Sequence, residues 1–85
     1  MKTREEIFNR IRETLVHEFE LSAEKVTPEA RFFEDLDLDS IDAVDLIVRL
    51  KNETGLAVKA EDFKAIRTIG DLTDVLERLI AEQNR

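Results

Sequence analysis

The chain has no cysteine in its 85 residues, so it can build no disulfide, thiol nucleophile or zinc–thiolate site. Glycine occurs twice and proline once. That leaves little turn material for an all-β fold and favours helices. No stretch reaches the roughly 18 consecutive apolar residues of a membrane span. The opening, Met1 to Glu6, alternates charge with no apolar run behind it, unlike a signal peptide. A soluble cytoplasmic protein is expected. The single histidine, His17, stands beside Glu18 with no serine or cysteine in a triad pattern. There is no glycine-rich phosphate loop and no H-E-x-x-H. Nothing in the sequence assembles a catalytic pocket, and the expectation is a non-enzyme.

Hydrophobic residues make up 42% of the chain and charged residues 39%. The length suits one small domain over residues 1–85, with a thin core. Twenty acidic against thirteen basic residues give a net charge of −7. Nucleic acid and anionic membranes are poor partners for such a surface, because phosphate contacts need clustered Lys and Arg.

Thr3 and Glu6 have capping-box spacing. Ile7, Phe8, Ile11, Leu15 and Phe19 then form one stripe at helical period, predicting a helix over 4–20 with Arg4, Glu5, Arg12, Glu13 and Glu20 in water. Residues 21–38 lose the period and contain Pro28, yet keep Leu21, Val26, Phe32, Phe33, Leu36 and Leu38. This reads as a long loop packed on the core, with a short turn near 22–26. So long a structured loop in so small a domain is often functional. Asp39 as N-cap, Asp42 in the first turn and Gly55 after Thr54 bound a second helix at 40–54. A short helix is expected around 61–66. Thr68 and Asp71 repeat the cap spacing before Leu72, Val75, Leu76, Leu79 and Ile80, predicting a last helix over 69–82. The expected architecture is all-α: a four-helix bundle with a long loop between helices 1 and 2 and a short third helix.

The second helix carries more apolar surface than one core can cover, an arc of roughly 220° where little more than 100° is needed. Ala43, Leu46, Ile47 and Leu50 fill one side of it; Ile41, Val44 and Val48 fill the other. Asp42, Asp45, Arg49, Asn52 and Glu53 make the wet face. Two readings of the surplus are open. It is a docking site rimmed by charge, or the long loop covers it. Ser40 lies at the helix start, close to Ile47 on the helical wheel, and Asp39 can cap the helix in its place. The run Asp35, Asp37, Asp39 has the opening of a calcium loop, but the sixth position is Ser40 instead of Gly and the twelfth Leu46 instead of Glu.

The stretch Phe32-Phe33-Glu34-Asp35-Leu36-Asp37-Leu38-Asp39-Ser40-Ile41-Asp42 resembles the attachment site of acyl carrier proteins: an F-x-E-D-L run, a short spacer, then D-S-(L/I)-(D/E) opening helix 2. The resemblance continues in order through Val58, Ile66 and Thr68-Ile69-Gly70-Asp71-Leu72, and so covers nearly the whole chain. It implies the acyl-carrier type of four-helix bundle. It implies that Ser40 bears 4′-phosphopantetheine, transferred from coenzyme A by a magnesium-dependent phosphopantetheinyl transferase. The arm's terminal thiol would let a protein without cysteine carry acyl groups as thioesters. Partner enzymes, such as ketosynthases and acyltransferases of fatty acid or type II polyketide biosynthesis, would supply the catalysis. The resemblance further implies partner contacts at Asp39, Ile41, Asp42, Val44, Asp45 and Val48. Phe32, Leu36, Leu46, Leu50, Val58, Phe63 and Ile66 would line an acyl pocket, or simply be core. Phe33 and Phe63 are bulky for a pocket that takes a long chain.

The sequence also departs from the family pattern. The spacer is Asp37-Leu38 where many members begin with Gly. Arg49, Lys51, Lys64 and Arg67 stand where housekeeping fatty acid carriers are more uniformly acidic, which implies a different partner set. The D-S-I-D-A-V-D-L-I-V and F-K-A-I-R-T stretches are similar to stand-alone carriers of aryl-polyene-type polyketide systems. Peptidyl or D-alanyl carriers are the nearest rival of the same kind, but the Gly-Gly-rich approach usual in peptidyl carriers is absent, and Asp39 before Ser40 is more similar to acyl carriers. The rival readings are an unmodified acidic helical interaction module, with Ser40 a mere helix-start residue, and a divalent-cation binder using Asp35, Asp37 and Asp39. No stable membrane insertion is expected, and the protein is expected to be a monomer.

Overall fold

In the computed structural model, residues 3–83 are described. Met1 and Lys2, which open the charged N-terminal stretch, lie outside them, as do Asn84 and Arg85. Helix α1 is Arg4–Glu18. The Thr3 hydroxyl accepts from the Glu6 amide at 3.2 Å and caps its start. Ile7, Ile11 and Leu15 are buried. Phe8 and Phe19, at the stripe's edges, are half-buried. The Arg12 and Arg49 guanidinium groups cover their rings at 5.5 and 5.9 Å. Arg12 is therefore half-buried, not fully in water as its place on the wheel suggests. The helix stops two residues before the predicted end, because Glu20 takes a left-handed φ of 56°.

The loop that follows holds one 3-10 turn, Ala23–Lys25, and buries Val26, Ala30, Phe32, Leu36 and Leu38. Its backbone is tied across the molecule. The Phe32 amide donates to the Arg67 carbonyl at 3.1 Å, Ile69 to Ala30 at 3.0 Å, and Gly70 to Pro28 at 2.8 Å. These bonds make an isolated antiparallel bridge between Arg31 and Thr68. Gly70 allows the close approach: a β-carbon there would stand 3.0 Å from the Pro28 carbonyl oxygen.

Helix α2, Ser40–Thr54, has the predicted bounds. Asp39 accepts from the Asp42 amide at 2.9 Å, and Asp42 accepts from the Asp39 amide at 3.3 Å. Gly55, at φ 78°, closes the helix by donating to the Lys51 carbonyl at 2.7 Å. Helix α3, Ala60–Phe63, is shorter than expected and has no side-chain cap. Helix α4, Ile69–Gln83, starts at the Thr68–Asp71 pair, each side chain accepting from the other's amide at 3.1 Å. Helix α1 packs against both α4 and α2. Ile11, Leu15, Leu46, Leu50, Ile69, Leu72 and Leu76 meet in the core. Polar ties hold the same pairs: Thr14 donates to Glu53 at 3.1 Å, Arg49 pairs with Glu18 at 3.1 Å and Arg4 with Glu77 at 3.3 Å.

Candidate functional site

Ser40 is the first residue of α2 and is exposed. The two orphan amides nearest it are served by the reciprocal Asp39–Asp42 cap. No hydrogen bond among the described residues engages its hydroxyl. A group joined there through phosphate therefore meets a free hydroxyl with open space, at the helix end that favours negative charge. The residues fit such a group.

The approach to Ser40 has Asp37 at the position where the resemblance leads one to expect Gly. Asp37 takes φ 54°, the left-handed region where glycine is cheapest and where Asp is among the few other residues tolerated. Asp35 accepts from the Arg31 amide at 2.8 Å and from its guanidinium at 3.1 Å. Those bonds, led by the guanidinium, hold the Asp35 carboxyl below the usual carboxylate range. Arg31 also pairs with Glu34. Asp35 and Asp39 thus serve two different local structures.

Helix α2 separates its apolar residues as the wheel predicts. Ala43, Leu46 and Leu50 are buried. Ile41, Val44 and Val48 are 77%, 52% and 49% exposed, and the long loop does not cover them. The acidic side is less free than expected. Asp42 and Asp45 are half-buried. Asp42 is used in the cap, and Asp45 pairs with Arg49 at 3.3 Å.

Between the loop, α2 and the α3–α4 link lies a cleft of about 460 Å³. Of the seven residues predicted for a pocket, it gathers Phe32, Leu46, Phe63 and Ile66. Leu36 and Leu50 are buried in the core and Val58 packs against it, and none of the three lies on this wall. The rest of the wall comes from Phe33, whose bulk already counted against room for a long chain, and from residues not expected there: Arg31, Glu34, Ala43, Ile47, Lys64, Arg67 and Leu72. Phe33, expected to pack inward, is 51% exposed. The bridge at Arg31 and Thr68 explains the grouping, since it sets Phe32 beside Arg67. No sequence period signals an isolated bridge. On the wheel, Ser40 stands between the exposed ridge and this cleft, with Ile47 almost directly below it.

Among the described residues no helix is long and apolar enough to cross a membrane. Residues 9–76 match the family model described as a phosphopantetheine attachment site. Acyl carrier protein 2 of Ralstonia nicotianae is 48% identical over 93% of this chain and 98% of its own length. The acyl carrier protein of Lactobacillus acidophilus is 36% identical over 86% of this chain and 91% of its own. A solved structure of the acyl carrier protein from Enterococcus faecalis superposes with a TM-score of 0.72 at 29% identity, covering 89% of this chain and 96% of that one. With the attachment domain over most of its length and the four-helix architecture in common, the chain belongs to the acyl carrier proteins, phosphopantetheine-bearing carriers of acyl groups that are not themselves catalysts.

Proposed function

We propose that Ser40 is the attachment point of the phosphopantetheine arm and that α2 presents two apolar surfaces to its cargo and partners. The observation that carries this is the exposed, unengaged Ser40 hydroxyl beside a cap that Asp39 already supplies. The arm, once bound, contributes the thiol on which acyl groups are held as thioesters. The chain's own residues do the rest. Asp39 and Asp42 fix the helix start, so the Ser40 oxygen is held in one place for the transferase. Ile41, Val44 and Val48 offer an apolar ridge within about two turns of it. Asp39, Asp42 and Asp45 give its border negative charge. Charge complementarity with basic partner surfaces speeds encounter, and so small a ridge lets complexes dissociate quickly. Partners that fit are the phosphopantetheinyl transferase, ketosynthases and acyltransferases. Phe32, Leu46, Phe63 and Ile66 form the wall where an acyl chain shelters, while Leu36, Leu50 and Val58 back it as core.

The single domain over 1–85 serves as a cytoplasmic monomer, its −7 charge opposing self-association. The cations Lys51, Lys64 and Arg67 favour a dedicated type II polyketide or fatty acid pathway over the housekeeping one. The test is intact mass after incubation with coenzyme A, magnesium and a broad-specificity transferase. One phosphopantetheine should add to wild type and none to Ser40→Ala. Uptake by both proteins, or by neither when both are folded and unmodified at the start, overturns the assignment.

A further inference from the structure

We propose that the cleft selects acyl groups whose far end is a carboxylate, with Lys64 and Arg67 as the specificity-determining residues; this rests on Ser40 carrying the arm. The cleft has a local charge opposite to that of the molecule. Three cations, Arg31, Lys64 and Arg67, and one carboxylate, Glu34, line it in a chain of net charge −7. Arg31 is already held by Glu34 and Asp35. Lys64 and Arg67 make no ion pair among the described residues.

The chain sorts its charges about α3 in a way that leaves these two free. Asp62 turns to α4 and pairs with Arg78 at 2.8 Å, and Glu61 borders the same crevice. The acids thus face α4 while Lys64 and Arg67 face the cleft. Arg67 is also fixed by its backbone, whose amide donates to Asp71 at 3.0 Å and whose carbonyl accepts from Phe32. The deep wall is apolar: Leu46 and Leu72 are buried, and Phe63 and Ile66 half-buried. A carboxylate there would be left without a partner, so it belongs at the cationic rim.

The occupant that matches is a dicarboxylic acyl group joined through one carboxyl as the thioester, its methylenes on the apolar wall and its free carboxylate between Lys64 and Arg67. The arm's own phosphate does not compete for this place. It stays on the Ser40 oxygen, whereas the α2 wall runs from Ala43 to Ile47, the latter about 10 Å further along the helix. The phosphate is tied to the helix start, and the pantetheine chain beyond it spans the distance and brings the cargo to the wall.

The full-length protein is loaded from adipoyl- and hexanoyl-coenzyme A, which have equal carbon counts. Thioester cleavage by hydroxylamine is then followed by intact mass and normalised to each free coenzyme A thioester. Adipoyl should be cleaved roughly three- to tenfold more slowly than hexanoyl, the range two exposed ion pairs reach. The ratio should fall to about one in K64E/R67E and in K64Q/R67Q. It should survive in K25E/K59E, which changes net charge equally but away from the cleft. Equal rates for the two cargoes on wild type, or a ratio indifferent to K64E/R67E, overturn the proposal while leaving Ser40 as the attachment point. A folded protein that takes up neither cargo overturns the attachment reading, and the cleft proposal with it.

Discussion

Adjacent substitutions at the start of α2 should have opposite effects on stability and loading. Asp39→Ala removes the carboxylate that accepts from the Asp42 amide at 2.9 Å, and with it half of a reciprocal cap. Losing such a cap costs about 0.5–2 kcal/mol, typically near 1. In a domain of this size 1 kcal/mol lowers the melting temperature by roughly 4–8 °C. Ser40→Ala removes a hydroxyl that bonds to nothing among the described residues, and alanine is the better helix former by about half a kcal/mol. Its melting temperature should stay within about 4 °C of wild type or rise. Thermal unfolding followed by circular dichroism reads both. Intact mass after transferase treatment should show loading lost only in Ser40→Ala. If Ser40→Ala melts as low as Asp39→Ala, the hydroxyl is structural and the division of labour between the two residues is wrong.

Asp37→Gly should be neutral or stabilising by up to about 1 kcal/mol, because it relieves a left-handed Asp. Asp37→Val should cost about 1–2 kcal/mol by urea unfolding; equal stabilities for the two would mean φ there is not constrained. Val44→Glu should leave stability within about 0.5 kcal/mol yet slow transferase loading by fivefold or more, as expected for loss of a docking contact worth over about 1 kcal/mol. Asp45→Asn should have a smaller effect because Arg49 already offsets its charge. Unchanged loading kinetics in Val44→Glu would remove the ridge from the docking surface. The folded Asp35 carboxyl titrates below its ordinary value, held by Arg31. Its contribution is therefore present above the ordinary carboxylate range and disappears as pH falls through the lowered value. The stability difference between wild type and Asp35→Asn should shrink on going from neutral pH to below about 4. A difference that stays constant or grows would show that the Arg31 contacts do not stabilise the fold through the charged form.

Helix boundaries were legible where local chemistry decides them. Asp39, Asp42 and Gly55 fix α2 to the residue, and Thr68 with Asp71 fixes the start of α4. The ends of α1 and α3 were not, because Glu20 leaves the helix through a left-handed turn and α3 is a single turn without a cap. The surplus arc of α2 singled out Ile41, Val44 and Val48 but left open whether the long loop covers them; they are exposed. The cleft was only half legible. Phe32, Leu46, Phe63 and Ile66 read as apolar positions in any fold of this kind. Nothing in the sequence singles out Arg31, and Lys64 and Arg67 stand out only as departures from an acidic pattern, because it takes the fold to bring the three to one wall. Phe33, one of the apolar residues expected to pack the loop onto the core, is turned outward beside the buried Phe32.

The three bonds from residues 28–32 to residues 67–70 are made wholly by backbone atoms. They join segments more than a third of the chain apart, so making them carries the entropy cost of closing a long loop. The bonds themselves use no side-chain atom, and a β-carbon at Gly70 would crowd Pro28. Residues 33, 64 and 67, whose side chains make no hydrogen bond or ion pair among the described residues, can therefore drift in evolution, or be redesigned, with this fastening kept. A carrier of this construction can acquire a new cargo preference by exchanging a few rim residues while its attachment serine and docking ridge stay as they are.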